Sequence, residues 1–156
     1  MILEDATRIL ELHATIKALE AKMETVAKRS QIASLLSSLQ GFGPVSTTEL
    51  AGEIGTIERF ATENSLAVYL GMSPLDKSSG KRKGSKPPKH VNSRAKAAMM
   101  VAVDRHRTQV PQSQRYYLKK RAEGKGHNQA IRALGRHLCR AIFRMLKLGK
   151  PYEVRN

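Results

Sequence analysis

Two hydroxyls, a glycine and three cations stand together in Ser78-Ser79-Gly80-Lys81-Arg82-Lys83, and this run is the part of the sequence best suited to chemistry. A serine hydroxyl is a weak nucleophile. It needs a base to take its proton and cations to stabilise the charge that develops on the group it attacks. The cations are adjacent here, and no base is visible nearby. The surrounding segment 71–92 adds Lys77, Lys86 and Lys89 against one carboxylate, Asp76, and is punctuated by Gly71, Pro74, Gly84, Pro87 and Pro88. It reads as a long, mobile, basic loop, in which a serine also has an ordinary use as a solvated turn residue.

Two further sets of residues suit a phosphate. Gly41-Phe42-Gly43-Pro44 separates two helical patterns and reads as a helix-hairpin-helix. Gly41 and Gly43 permit a tight turn that leaves backbone N–H groups at the start of the next helix, where the dipole favours an anion. A glycine turn between two core helices needs no ligand, however, and Glu49 and Glu53 on the following helix oppose one. Farther along, Arg132, Arg136, Arg140 and Arg144 recur every four residues and share one helix face, where like charges repel. Their counter-charge comes either from a phosphate backbone or from acidic groups in the N-terminal half.

Other chemistries lack their residues. A two-metal nuclease gathers several carboxylates at one site, whereas the basic half offers only Asp104, Glu123 and Glu153, far apart. The five histidines (His13, His90, His106, His127 and His137) show no ligand spacing, and Cys139 lies mid-helix as a packing residue. No Walker sequence or dinucleotide fingerprint is present. No metal or cofactor is therefore expected in this chain.

The elements that position these residues read as helices throughout, so the expected fold is all-α. Ile2, Ile9, Ile16 and Met23, with Leu12, Leu19 and Val26 three positions on, repeat every seven residues and make a coiled-coil seam that Asp5 interrupts once. A homodimer through residues 2–26 is one use of that seam; packing on the chain's own domain is the other. Helical patterns then cover Gln31 to Leu39 and Val45 to Ile54. A short turn from Thr56 to Phe60 follows, and another helix from Ser65 to Leu70. Three more patterns run from Ser93 to about Arg107, Pro111 to Ala122 and His127 to Leu148. The last carries an apolar stripe of Ile131, Leu134, Leu138, Ala141, Ile142, Met145 and Leu148. Residues 1–30 are thus expected as a protruding helix, 31–150 as a compact helical domain, and 151–156 as a tail.

Charge indicates the partner. The 156 residues carry 28 Lys and Arg against 13 Asp and Glu, a formal net charge of +15. Residues 1–76 hold 6 basic and 10 acidic side chains, and residues 77–156 hold 22 basic and 3 acidic. Such a concentration favours a polyanion, with nucleic acid first. With no Trp, 4 Tyr and 3 Phe, the stacking platform of a single-strand binder is poorly supplied. The start of the chain has no secretory pattern and no stretch is apolar enough to cross a membrane, so the expected location is the cytoplasm. One cysteine excludes an internal disulfide framework.

Four separated motifs occur in order: Leu39-Gln40-Gly41-Phe42-Gly43-Pro44-Val45, then Glu53-Ile54-Gly55 with Arg59-Phe60, then Leu66-Ala67-Val68-Tyr69-Leu70-Gly71-Met72-Ser73-Pro74, then Ser78-Ser79-Gly80. Over roughly residues 31–148 the chain resembles the C-terminal transposase domain of the insertion sequence 110 family. Lys89-His90-Val91-Asn92-Ser93-Arg94-Ala95-Lys96 corresponds to a segment the family usually writes as Gly-Asn followed by basic residues, with Val91 in the place of the glycine. The resemblance implies that Ser79 attacks DNA phosphodiesters and forms a phosphoserine intermediate. Lys77, Lys81, Arg82, Lys83, Lys86, Lys89, Arg94 and Lys96 would then join Arg132, Arg136, Arg140 and Arg144 in binding nucleic acid. It further implies a RuvC-like acidic domain that holds magnesium, and a structured guide RNA. This sequence contains no such domain and looks like a truncated, split or decayed transposase. The competing readings are a non-catalytic basic helix-hairpin-helix protein that binds nucleic acid, and a dimeric adaptor organised by the first helix.

Overall fold

The computed structural model describes residues 1–73, the backbone of 75–79 and 82–86, and residues 91–153. Seven α-helices are found among them: α1 Ile2–Ala27, α2 Gln31–Ser37, α3 Pro44–Ile54, α4 Glu63–Tyr69, α5 Ser93–Gln109, α6 Pro111–Ala122 and α7 His127–Leu148. A 3-10 turn, Ile57–Arg59, lies between α3 and α4. The architecture is all-helical, as the patterning predicts, with one addition. Where an irregular loop is expected, the backbone forms a two-stranded antiparallel ribbon, β1 Leu75–Ser79 and β2 Arg82–Lys86. No apolar alternation announces these strands. Their pairing is a matter of backbone hydrogen bonds, to which Lys, Ser and Arg contribute as well as any residue.

Local chemistry accounts for most boundaries. The Ser30 hydroxyl accepts from the Ala33 N–H to start α2, and Pro44 occupies the first turn of α3, where its missing N–H costs nothing. Helix α4 begins two residues earlier than its apolar pattern suggests, because Thr62 and Ser65 form a reciprocal capping box. Gly149, at φ 63°, ends α7 in a left-handed cap.

Helix α7 organises the core, burying Ile131, Leu134, Leu138, Cys139, Ile142, Met145 and Leu146 against α2, α4, α5 and α6. Leu36, Leu39, Leu50, Ile54, Leu66, Leu70 and Met99 complete it from the other helices and the connection after α2. Gly135 allows α4's trailing segment to cross α7, since a Cβ there would collide with the Met72 thioether. Helix α1 stands apart from this core. It buries no residue, and only Met23 and Ala27 along it are half-buried. Its seam residues Ile9, Leu12, Ile16 and Leu19 are 47–64% exposed.

Candidate nucleic-acid interface

The segment that carries the ribbon leaves the helical core at Ser73 and re-enters it at Asn92, and both points are tied down. At the exit, buried Ser73 accepts a hydrogen bond from the Arg136 guanidinium and donates to Asn64 Oδ1 at 3.4 Å. At the return, Asn92 Oδ1 accepts from the backbone N–H groups of Arg94 and Ala95, at 3.1 and 3.0 Å, and so caps α5. The Asn92 amide meanwhile donates to the Glu53 carboxylate and, at 2.9 Å, to the Tyr69 hydroxyl. The Tyr69 hydroxyl in turn donates to the Glu53 backbone carbonyl at 2.9 Å.

Arg59 completes this node. Its Nη1 donates to the carbonyls of Glu53 and Ile54, at 3.0 and 2.9 Å, which satisfies the open C-terminal end of α3. Its guanidinium lies 5.4 and 5.3 Å from the ring centroids of Phe60 and Tyr69. Glu53, Arg59, Phe60, Tyr69 and Asn92 come from separate sequence motifs, and the fold brings them together at the start of α5.

Within the ribbon, register sets Ser79 across from Arg82, Ser78 across from Lys83 and Lys77 across from Gly84. Only backbone is described for Lys77, Ser79, Arg82, Lys83 and Lys86, and Lys81 and Lys89 lie outside the described residues.

The remaining candidate cations divide by partner. Arg94 pairs with Glu49 at 3.0 Å and Glu53 at 3.5 Å, so the two carboxylates that oppose a phosphate at α3 are engaged by a basic residue of α5. The Lys96 stem crosses the backbone at Gly71. On α7, Arg140 pairs with Glu63 at 2.9 Å and Arg136 is held by Ser73, while Arg132 and Arg144 have no carboxylate within 4 Å among the described residues. One arginine of the stripe, Arg140, thus receives a counter-charge from inside the fold, and Arg136 receives a neutral hydroxyl.

Gly41 sits at φ 83° with its Cα against the Arg105–His106 backbone of α5, where a Cβ would overlap main-chain atoms. His106 Nδ1–H donates to the Gln40 carbonyl at 2.7 Å, and burial pushes the imidazole pKa down from its usual value. Gly43 is the residue before α3, and its carbonyl accepts from Thr47.

Burial pushes the Cys139 thiol up to about 12, which removes it as a nucleophile at neutral pH. Among the described residues no three His, Cys, Asp or Glu side chains are grouped to hold a metal ion. These residues therefore do not fit a magnesium site. No described helix is long and apolar enough to cross a membrane.

Several basic residues that periodicity does not single out also reach the surface: Arg115, Lys119 and Arg121 on α6, with Lys125, half-buried, in the turn after it. The available signal was the absence of any acidic residue from Pro111 to Ala122.

A strongly basic, all-helical domain with a two-stranded ribbon between α4 and α5 in the chain defines the class. A family model described as Transposase IS116/IS110/IS902 family matches residues 33–118. The chain belongs to that transposase family. It is 32% identical over 151 residues to the 43.6 kDa protein of insertion element IS110 from Streptomyces coelicolor, a match covering 96% of this chain and 37% of the relative. Similarity to the 42 kDa protein of insertion element IS900 from Mycobacterium paratuberculosis is 33% over 151 residues, or 95% of this chain and 38% of the relative. A 44.8 kDa protein of insertion element IS116 from Streptomyces clavuligerus is 27% identical over 148 residues, with 94% and 37% covered. The chain thus spans less than two fifths of the length of these relatives.

Proposed function

We propose that this chain is the DNA-binding, serine-bearing part of an insertion-sequence transposase, acting in the cytoplasm, with Ser79 as the nucleophile. The observation that carries this reading is the ribbon. It is basic, its register pairs Ser79 with Arg82, and Ser73 before it and Asn92 after it are tied to the core within the family motifs. In the reaction, Ser79 Oγ attacks a DNA phosphorus and forms a serine–phosphate bond. The bond from phosphorus to one deoxyribose oxygen breaks, and that oxygen leaves as a hydroxyl once it is protonated. The serine's own proton goes to a base outside the described residues of this chain.

Arg82 and its neighbours Lys81 and Lys83 supply positive charge for the crowded phosphorane. The base and the magnesium belong, in this proposal, to a RuvC-like acidic domain, and a structured guide RNA selects the DNA. The α2–turn–α3 unit acts as a helix-hairpin-helix scaffold. The exposed seam of α1 pairs with a second copy as a coiled coil, which its uncovered isoleucines and leucines support.

The test supplies a RuvC-like domain in trans with magnesium, RNA and DNA, and looks for a denaturant-resistant protein–DNA adduct. Wild type and Ser78→Ala form it and Ser79→Ala does not. An adduct of equal yield with Ser79→Ala removes the assignment, and binding without any adduct favours a passive nucleic-acid binder.

A further inference from the structure

Asp5 is the one charged residue in the heptad seam of α1, and it is exposed with no cation within 4 Å among the described residues. The apolar positions on either side of it, Ile2 and Ile9, are 84% and 64% exposed. A helix that covers this seam also covers Asp5, and a carboxylate taken out of water without a counter-charge opposes the gain from the apolar positions. Which way the covering helix runs therefore depends on what it sets against Asp5.

A second copy of α1 has two ways to lie on the seam. In a parallel pair like positions face each other, so Asp5 meets Asp5 of the second copy. The flanking positions then bring Arg8 beside His13, Thr15 beside Glu20 and Lys22 beside Ala27, which offers no pair of opposite charges. An antiparallel pair centred on Ala14 also uses the whole seam, since Ile9 meets Leu19 and Leu12 meets Ile16 of the second copy. Asp5 now faces the uncharged Met23. On one flank it has Arg8 of its own helix, one turn on, and Lys22 of the second copy. Those two cations face each other across the pair, and the carboxylate lies between them. The twofold axis repeats this arrangement at the other end.

We propose that α1 is a self-complementary antiparallel surface whose partner is α1 of a second copy, with Asp5 set between Arg8 and the second copy's Lys22. This rests on the coiled-coil reading above and adds its direction. The succession of Ile and Leu along the seam suits two strands, and the charges decide how they run. The 26-residue helix is ~39 Å long, so the two helical domains stand at opposite ends of a rod instead of side by side.

The experiment uses the full 156-residue chain. I9C and L19C are made separately, given different mass tags, mixed and oxidised; Cys139 is buried and stays out of the exchange. Both substituted positions are exposed in the single copy, so the helical domain keeps its core. An antiparallel pair joins I9C to L19C, while the two copies of position 9 are ~15 Å apart, too far for a disulfide. A parallel pair joins L19C to itself and leaves the mixed product absent. Asp5→Asn supplies a second readout in sedimentation at about 50 mM salt, where surface charges are weakly screened. It should weaken the antiparallel dimer by about threefold or more, because two carboxylates leave their cations. The same change would tighten a parallel dimer by removing a repulsion. Mixed disulfide with a weakened Asp5→Asn dimer supports the proposal. L19C joined to itself, a tightened Asp5→Asn dimer, or a dimer that forms no disulfide at either position overturns the direction while dimerisation itself stands. A wild-type monomer at high concentration removes the coiled coil and the proposal together.

Discussion

At the scale of the residue, the close approach at Gly41 and the buried His106 carry separate predictions. Gly41→Ala places a methyl group into the Arg105–His106 backbone and forces an L-residue to φ 83°. It should cost ~2 kcal/mol or more of stability, read as a lowered midpoint in denaturant, without removing any charge from the surface. His106 predicts a pH dependence. Burial lowers its native pKa below 6.5, the backbone carbonyl of Gln40 opposing, so the unfolded chain takes up a proton before the native chain does. Its contribution is fully present above about pH 6.5 and is lost as pH falls through that value toward the lower native pKa. The exposed ring of His137, desolvated and facing Arg140, Lys120 and Arg136, shifts the same way. Glu58 and Glu123 are lowered carboxylates that act below about pH 4.5, outside this window. Thermal midpoints should therefore fall between pH 7 and pH 5.5, and His106→Gln should flatten that fall even though its midpoint at pH 7 is lower. An unchanged slope in the variant would assign the dependence elsewhere.

At the scale of the element, Asn92 joins the ribbon's return to α3, α4 and α5. Its two halves have different jobs, since Oδ1 caps α5 and the amide donates to Glu53 and Tyr69. Aspartate is as good a cap as asparagine on an ordinary helix. Here it loses the donor and sets a second carboxylate beside Glu53, so Asn92→Asp should destabilise by ~1–2 kcal/mol. Raising the acidity of the buffer enough to protonate one carboxyl should recover part of that loss. Equal stability of Asn92→Asp and wild type at pH 7 would show that the amide contributes nothing. Helix α1 makes a different prediction. Its seam is uncovered along most of its length, and Ile16→Lys puts a charge where the proposed dimer would bury an isoleucine. Sedimentation should find wild-type dimers and variant monomers, and a wild-type monomer at high concentration would dismiss the coiled coil.

At the scale of the whole molecule, the separation of charge dominates. Acidic residues lie largely on α1 and on the helices through α4, where those of α3 and α4 are engaged by basic partners from α5 and α7. Among the described residues Arg115 of α6 and Arg132 and Arg144 of α7 have no carboxylate within 4 Å, and residues 77–89 add six more Lys and Arg in sequence. Duplex binding should therefore weaken by orders of magnitude between about 50 and 200 mM salt, with a log–log slope near −0.9 for each phosphate neutralised. A flat salt response would remove nucleic acid as the partner.

Local signals were enough for most of the helical frame. Pro111 and Ala122 bound α6 and His127 and Leu148 bound α7 as their patterns predict, because periodicity, prolines and a glycine cap act within a few residues. The all-α class and the family motifs were legible for the same reason. The partners of the candidate residues were not. Arg94 meets Glu49 across 45 positions, Arg136 meets Ser73 across 63 and Arg140 meets Glu63 across 77. A stripe of arginines looks the same in sequence whether its counter-charge is external or folded in. Gly41 likewise suits a phosphate turn by its type, and only the approach of α5 makes it a joint between helices. The ribbon was hidden because its strands are paired by backbone groups that every residue carries, with no apolar alternation to mark them. Tertiary packing alone decided which cations were consumed inside the fold and which were left facing solvent.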